Sequence, residues 1–572
     1  MNSSLAKRIG LVFGVSGLVT PLAVGAETWV ADGQSMMVAT DSVYASQAGL
    51  KTLKSGGNAI DAAAAVSFTL GVVRSESTGI GGGGFLIYRR AKDGQVFVLD
   101  FRETAPAAAT PDMYGINEDK FGAQFSRYGG RAVGVPGNLA GMDHALKEWG
   151  TMPLGEVLQP AIDIANEGWV VDAHYVDATK EMINIFRKYR DFRRRHEFIY
   201  SFHLRMDRPR SPGNKLKNPM LGGLLQNIAE KGPDFFYEGP PAKMVVQGIK
   251  NDEGILTLDD WKSYKVKLRE PIRGTYRGYE IVTMPPPSSG GVCIIQCLNI
   301  LENAEPSKIH EKGPEAWAHY LVEVMKHGFA DRARWMGDPD FVDVPVERLI
   351  SKDYAKSLFA KIDEQKVREP ADYGIAQLPN DSGTCHFSIV DKDGNCVVMT
   401  ETINTTFGSL MSVKRWGLTL NNEMDDFTVN PGKPNAFGLI QSERNAIAPG
   451  KRPVSSMAPT ILLKEGKPVL LLGASGGPMI ISSILQVIVN VVDLGMGVDE
   501  AVAAGRVHHQ WQPDIIYFDQ RPSQETMTNL QGWGHPSVSK EPSTGHVQAI
   551  HLQDGKLIGV SDPRKGGQPA GE

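Results

Sequence analysis

Two strand-like runs, Thr384-Cys-His-Phe-Ser-Ile-Val and Cys396-Val-Val-Met-Thr-Glu-Thr, are joined by Asp391-Lys-Asp-Gly-Asn395. This hairpin constrains the fold most, because a short loop fixes the register of everything it connects. A type I turn with Gly394 in the left-handed region closes the loop Lys392-Asp393-Gly394 and sets Asp391 opposite Asn395. The register then places Cys385 against Glu401, Cys396 against Val390 and Thr384 against Thr402. Side chains alternate across a sheet, so the two cysteines fall on opposite faces and are not expected to bridge. Two hydroxyls and Asn404 gather at one strand end.

The residue before that strand is Gly383. An internal threonine is ordinarily just a strand residue. If the Gly383–Thr384 bond is broken, however, Thr384 becomes an N-terminus whose α-amino group, with a pKa of ~7.7–8.0, is a base beside its own hydroxyl. A threonine hydroxyl is a poor nucleophile without such a base.

The remaining features exclude more than they assign. A net charge of -5 and 22% charged residues in a chain of 572 give no global attraction to nucleic acid or anionic membranes. At the N-terminus, Lys7 and Arg8 precede an apolar run and Val24-Gly25-Ala26. This reads as a signal peptide over 1–26, with an uncleaved anchor as the competing reading, and implies a soluble periplasmic or secreted product with no membrane contact after signal removal. Cys293 and Cys297, in GGVCIIQCLNILEN, have the spacing of packed helical core thiols. No CxxC or HExxH occurs and His508-His509 has no partner set, so neither a metal nor another cofactor is expected.

Residues 40–72 read as two alanine-rich helices broken by Ser55-Gly56-Gly57. Gly79-Ile80-Gly81-Gly82-Gly83-Gly84 leads into FLIYRR and QVFVLDFRET, two buried strands. A phosphate cradle is disfavoured, because the glycines precede a strand and the P-loop Lys-Ser/Thr is missing. Residues 140–260 are mostly helical in period, and the basic run 187–195 is read as a solvated helix face. MPPPSSGG (284–291) is a stiff loop ahead of the cysteine-bearing helix.

Beyond the hairpin lie three candidate grips. The acidic turn Asn421-Asn422-Glu423-Met424-Asp425-Asp426-Phe427 suits a cation, either an amine or a metal. Arg452-Pro453-Val454-Ser455-Ser456-Met457 offers two hydroxyls suited to a carboxylate. In KPVLLLGASGGPMIISSILQVIVNVV a buried strand, a Gly-Ala-Ser-Gly-Gly turn and a helix follow one another. The turn is either an ordinary connection or, through the N–H groups of Gly476 and Gly477 at a helix start, an oxyanion hole.

From SMMVATDSVYASQAGLKTLKSGGNAIDAAAA through GGGGFLIYRR, DFRETAP, PPPSSGG, GDPDFVDVP, SSMAPTI, GASGG and RVHHQW to GVSDPRKGG, the chain resembles the γ-glutamyltranspeptidase (glutathione hydrolase) family of N-terminal-nucleophile hydrolases. The span from Thr384 to Gly408 is close to the family signature. The resemblance implies an α/β (α+β) fold, a four-layered αββα sandwich. It also implies self-cleavage before Thr384 into a large subunit (27–383) and a small subunit (384–572) that stay associated as a heterodimer. Thr384 would be the nucleophile and Thr402 its hydrogen-bond partner. Arg102, Ser455 and Ser456 would hold the donor α-carboxylate, and Asn404, Glu423 and Asp426 the α-amino group. Gly476 and Gly477 would form the oxyanion hole. The implied substrates are glutathione and other γ-glutamyl compounds, with water, an amino acid or a dipeptide as acceptor. Cys385 and Val398 depart from the small residues usual at those positions. Phe437, in the lid matched by 431–450, replaces a tyrosine common in bacterial relatives, and the arginine-rich stretch near 185–210 has no place in the family pattern. A cephalosporin-acylase-like or poly-γ-glutamate-processing relative is the alternative enzyme, and an unprocessed secreted binding protein the alternative from another class.

Overall fold

Strands Cys385–Val390 and Cys396–Thr402 pair antiparallel, with Cys385 opposite Glu401 and Val390 opposite Cys396. This is the register the loop chemistry predicts. The Gly394 N–H reaches Asp391 O at 2.9 Å, the Asp391 N–H reaches Asn395 O at 3.1 Å, and Gly394 has φ +79°. Every residue of both strands is buried, so the hairpin forms the centre of a sheet. The structure is a computed structural model that describes residues 29–114, 125–369, 372–373, 383–429, 442–536, 538–539 and 544–572. The expected signal segment 1–26 and Phe437 lie outside these residues.

The hairpin's sheet has seven strands in the order Ala570–Gly571, Met37–Thr40, Cys385–Val390, Cys396–Thr402, Gly83–Arg89, Val96–Asp100 and Lys267–Arg269. A second seven-stranded sheet runs Val30–Gly33, Lys556–Ser561, His546–Gln553, Lys467–Ser475, Thr460–Lys464, Tyr279–Thr283 and Ile272–Tyr276. Alternation of side chains assigns the faces. Cys385, Phe387, Ile389, Val397 and Met399 pack against the helices Val43–Lys54 and Ala59–Val73. Val390, Cys396 and Val398 point the other way, into the core shared with the second sheet. Helices Gly290–Leu301 and Met479–Val492 cover the far side of that second sheet, completing four αββα layers. All four cysteines are free and buried, Cys385 and Cys396 on opposite faces as the register requires.

The glycine run packs main chain against main chain. A Cβ on Gly82 would stand 2.0 Å from Thr402 O, and one on Gly81 would stand 2.1 Å from Thr419 O. Both contacts are with backbone that cannot swing away, so this corner closes only with glycine. Gly82→Ala is therefore expected to lower stability by ~1–3 kcal/mol and to displace Thr402. The thermal midpoint of the variant measures this, and an unchanged midpoint contradicts the close-approach reading.

The basic run behaves as a surface. Arg187, Lys188, Arg190 and Arg194 are exposed, Arg193 pairs with Asp207, Arg195 pairs with Asp252, and the interleaved Phe192 is buried. Among the described residues, no helix is long and apolar enough to cross a membrane.

Candidate active site

Strand pairing brings Thr384 and Thr402 together at one end of the central hairpin, both nearly inaccessible. Their hydroxyl oxygens lie 3.2 Å apart. The Thr384 hydroxyl donates to the Gly383 carbonyl oxygen at 2.6 Å, and the Thr402 hydroxyl donates to that same oxygen. The Thr402 oxygen also accepts the Asn404 N–H at 2.8 Å. One carbonyl, that of the residue before the threonine, is thus polarised by two hydroxyls.

Arg102 follows strand Val96–Asp100 and is held from behind. Its N–H reaches Asp100 Oδ1 at 3.0 Å, and its carbonyl accepts the Tyr264 hydroxyl at 2.8 Å. Its guanidinium pairs through Nη1 with Glu423 and through Nη2 with Asp426, and Glu103 Oε2 lies 3.8 Å from Nη1. The two partners sit on the short turn Glu423–Asp426, which is fixed by Asn421. The Asn421 Oδ1 accepts N–H groups of Gly134 and Glu423, and its Nδ2 donates to carbonyls of Gly81 and Gly134. Asp425 points elsewhere, to Ser126 and Arg127.

Three buried carboxyls therefore face one cation. Burial raises Glu423 well above the usual carboxylate range and Asp426 to about 6, although Arg102 pulls both down. Burial likewise lifts Glu103 to about 7. Burial opposes the charge on Arg102, but Glu423 and Asp426 outweigh it and keep the guanidinium ionised. Such a site accommodates one more positive charge beside the carboxylates and one negative charge beside the guanidinium.

Ser455 and Ser456 complete this wall. The stiff loop read at 284–291 holds them: Ser288 Oγ donates to Met457 O at 2.5 Å, Ser289 Oγ donates to Ser455 O at 2.7 Å, and the Ser455 N–H reaches Pro287 O at 3.1 Å. Arg102, Thr384, Thr402, Asn404, Glu423 and Asp426 line one cavity, together with Ser455, Ser456 and Gly477. Gly476 instead lines a second cavity, of about 260 Å³, which also reaches Thr384. Gly476 and Gly477 have φ of +119° and +52° between strand Lys467–Ser475 and helix Met479–Val492. A Cβ on Gly476 would approach Gly545 Cα to 2.9 Å.

Two participants escape a reading of the sequence. Arg332, on helix Pro314–Trp335, lines the smaller cavity and donates through Nε to Ser289 Oγ at 2.8 Å. Lys565 donates to Thr384 O at 2.7 Å and Ser475 Oγ at 3.0 Å, and pairs with Asp41 at 2.7 Å. Arg332 carries no local signal. Lys565 belongs to the GVSDPRKGG segment that supports the family resemblance, but nothing in that segment names its partner.

The gamma-glutamyltranspeptidase family profile matches residues 45–572. The glutathione hydrolase proenzyme of Escherichia coli strain K12 is 42% identical over 531 residues, covering 92% of this chain and 90% of that protein. The crystal structure of a cephalosporin acylase from Bacillus halodurans superposes with a TM-score of 0.82 at 27% identity, over 98% of this chain and 99% of that one. The Helicobacter pylori gamma-glutamyltranspeptidase structure gives 0.53 at 39% identity, over 57% of this chain and 91% of that one.

Proposed function

The chain belongs to the γ-glutamyltranspeptidase family of γ-glutamyl transfer and hydrolysis enzymes, and from that premise we propose how its own residues carry the reaction. The observation that carries the reading is the polarised Gly383 carbonyl beside Thr384, opening onto a cavity complementary to a zwitterion.

Maturation comes first. The Thr384 oxygen attacks the Gly383 carbonyl carbon while the Thr402 hydroxyl stabilises the negative charge developing on the carbonyl oxygen. The C–N bond breaks, the threonine nitrogen takes the proton, and the resulting ester is hydrolysed by water. The products are a large subunit of 27–383 and a small one of 384–572. The pairing of strand Cys385–Val390 with Met37–Thr40, and of Cys396–Thr402 along its whole length with Gly83–Arg89, supports their continued association. That the Helicobacter pylori chain is 91% covered by 57% of this one supports a product of two chains.

In the mature protein the Thr384 α-amine takes the hydroxyl proton, and the oxygen attacks the γ-amide carbonyl of glutathione or a related donor. Arg102, Ser455 and Ser456 receive the α-carboxylate, the guanidinium by its bidentate fork. Glu423, Asp426 and Asn404 receive the α-ammonium. The Gly476 and Gly477 amides stabilise the oxyanion, and the amine departs. Water or an acceptor amine then resolves the γ-glutamyl ester. A zwitterion grip of this kind favours γ-glutamyl donors over cephalosporin side chains, as does the higher identity to a glutathione hydrolase than to the cephalosporin acylase. N-terminal sequencing of the smaller polypeptide, with hydrolysis of γ-glutamyl-p-nitroanilide, tests this reading. An active protein with the 383–384 bond intact removes it. The export implied by the N-terminal segment is a separate proposal, tested by fractionating cells expressing the full chain.

A pH dependence follows from the carboxyl cluster. A bound ammonium favours ionised Glu423 and Asp426, so binding releases protons wherever the free protein still holds them. With Asp426 at about 6 and Glu423 well raised, affinity for L-glutamate rises with pH through this range and falls on acidification. The expected slope is about tenfold per pH unit for each proton released. The inhibition constant of glutamate between pH 5 and 7 measures it, and a flat profile removes these carboxyls from the ammonium site.

A further inference from the structure

Thr384 lines two cavities. The smaller one contains Arg102, Glu423 and Asp426, and the larger, about 260 Å³, lies toward Gly476 and contains none of these. If the γ-glutamyl group fills the first, its leaving amine projects toward the second, and an attacking amine must approach the ester along the path by which the first departed. We propose that the larger cavity is the acceptor site and that its acidic lining selects acceptors carrying an additional positive charge, such as dibasic amino acids, over those carrying a second carboxylate. This rests on the Thr384 reading above.

The wall is built by one helix face. His174, Asp177 and Glu181, on helix Ala173–Lys188, are spaced three and four residues apart, so they stack along the cavity. Asp177 and Glu181 stand exposed at the mouth, where Asp177 already pairs with the exposed Lys180 at 2.8 Å. Deeper in is Glu76, 1% exposed, with no hydrogen-bond partner for either carboxylate oxygen. Its nearest cation is Arg74 Nη1 at 3.9 Å, and that guanidinium is engaged by Asp172 at 2.5 Å.

Among the described residues, Lys565 is the lining cation, and it and Arg74 offset Glu76 only in part. Burial keeps His174 well below its usual range and His546 down at about 4, so both are neutral near pH 7. The three N–H bonds of Lys565 are matched by Asp41, Thr384 O and Ser475 Oγ. Burial lifts Glu76 to about 7, although Arg74 pulls it down. An ammonium or guanidinium seated beside it would return it to the ionised form.

In the transfer step the neutral α-amine of the acceptor attacks the γ-carbonyl carbon of the ester. A C–N bond forms and the C–O bond to Thr384 breaks. The amine proton passes through the Thr384 α-amine to the departing threonine oxygen. The acceptor's second cation takes no part in bond making and only positions the amine.

The test uses the mature, processed enzyme with γ-glutamyl-p-nitroanilide as donor and lysine, norleucine or glutamate as acceptor. Transfer and hydrolysis products are counted in the same reaction, so each selectivity is a ratio within one enzyme. Lysine is expected to exceed glutamate by about tenfold or more in acceptor kcat/KM, with norleucine between them. Glu76→Gln and the mouth variant Glu181→Gln should each compress that ratio. Glu181→Gln changes an exposed side chain, so it remains informative if Glu76→Gln fails to fold. A processed enzyme that hydrolyses the donor without this charge ordering, or that keeps the ordering in both variants, overturns the acceptor assignment and leaves the Thr384 reading standing. A chain that hydrolyses no γ-glutamyl donor overturns both.

Discussion

Thr384→Ala yields one uncut polypeptide in place of two, with no measurable γ-glutamyl hydrolysis. Alanine retains the strand position but removes the oxygen that lies against the Gly383 carbonyl, so the acyl shift has no nucleophile and the α-amine base is never released. Loss of a nucleophile in a unit of this kind reduces turnover by about 10⁴-fold or more. The fold should survive, because the side chain is small and the flanking strand pairs on both edges. Thr384→Ser keeps the oxygen and should still cut. A denaturing gel with N-terminal sequencing reads both variants, and normal scission before residue 384 in the alanine variant would take Thr384 out of the mechanism.

Arg102→Ala is expected to raise the donor KM strongly. The guanidinium pairs with Glu423 and Asp426 and lies against Glu103, and it is 1% exposed. Truncating one partner of a buried, hydrogen-bonded charge pair costs ~2–5 kcal/mol of binding. The variant also leaves three buried carboxyls without their cation, so its thermal midpoint should fall as well. Arg102→Lys separates the two effects. It restores a charge among the carboxylates but lacks the planar fork, so stability should recover further than donor binding. An unchanged donor KM in processed Arg102→Ala would remove the residue from the carboxylate grip.

Local chemistry made much of the scaffold readable. The Asp391–Asn395 loop fixed which residues of the hairpin face one another, and the alternation that follows put Cys385 and Cys396 on separate faces. The break at Ser55-Gly56-Gly57 divided the first two helices, and the alanines between allowed the second to be buried nearly all round. The 284–291 loop was legible as stiff, yet its work as the support of Ser455 and Ser456 was not, since those residues lie far downstream.

The sequence by itself thus determined the strand register and the placement of a threonine hydroxyl at a strand end, because each depends on neighbours within a few residues, whereas the close approach of Gly81 and Gly82 to Thr419 and Thr402 is a long-range contact. Only the tertiary structure decided that Arg102 closes on Glu423 and Asp426, that Lys565 reaches back to the Thr384 carbonyl, and that a second, acidic cavity opens on the far side of Thr384. A charged residue in a sequence carries no mark of its partner. Pairing across hundreds of residues is set by how the layers stack, and the raised carboxyl groups follow from burial that exists only once they have stacked.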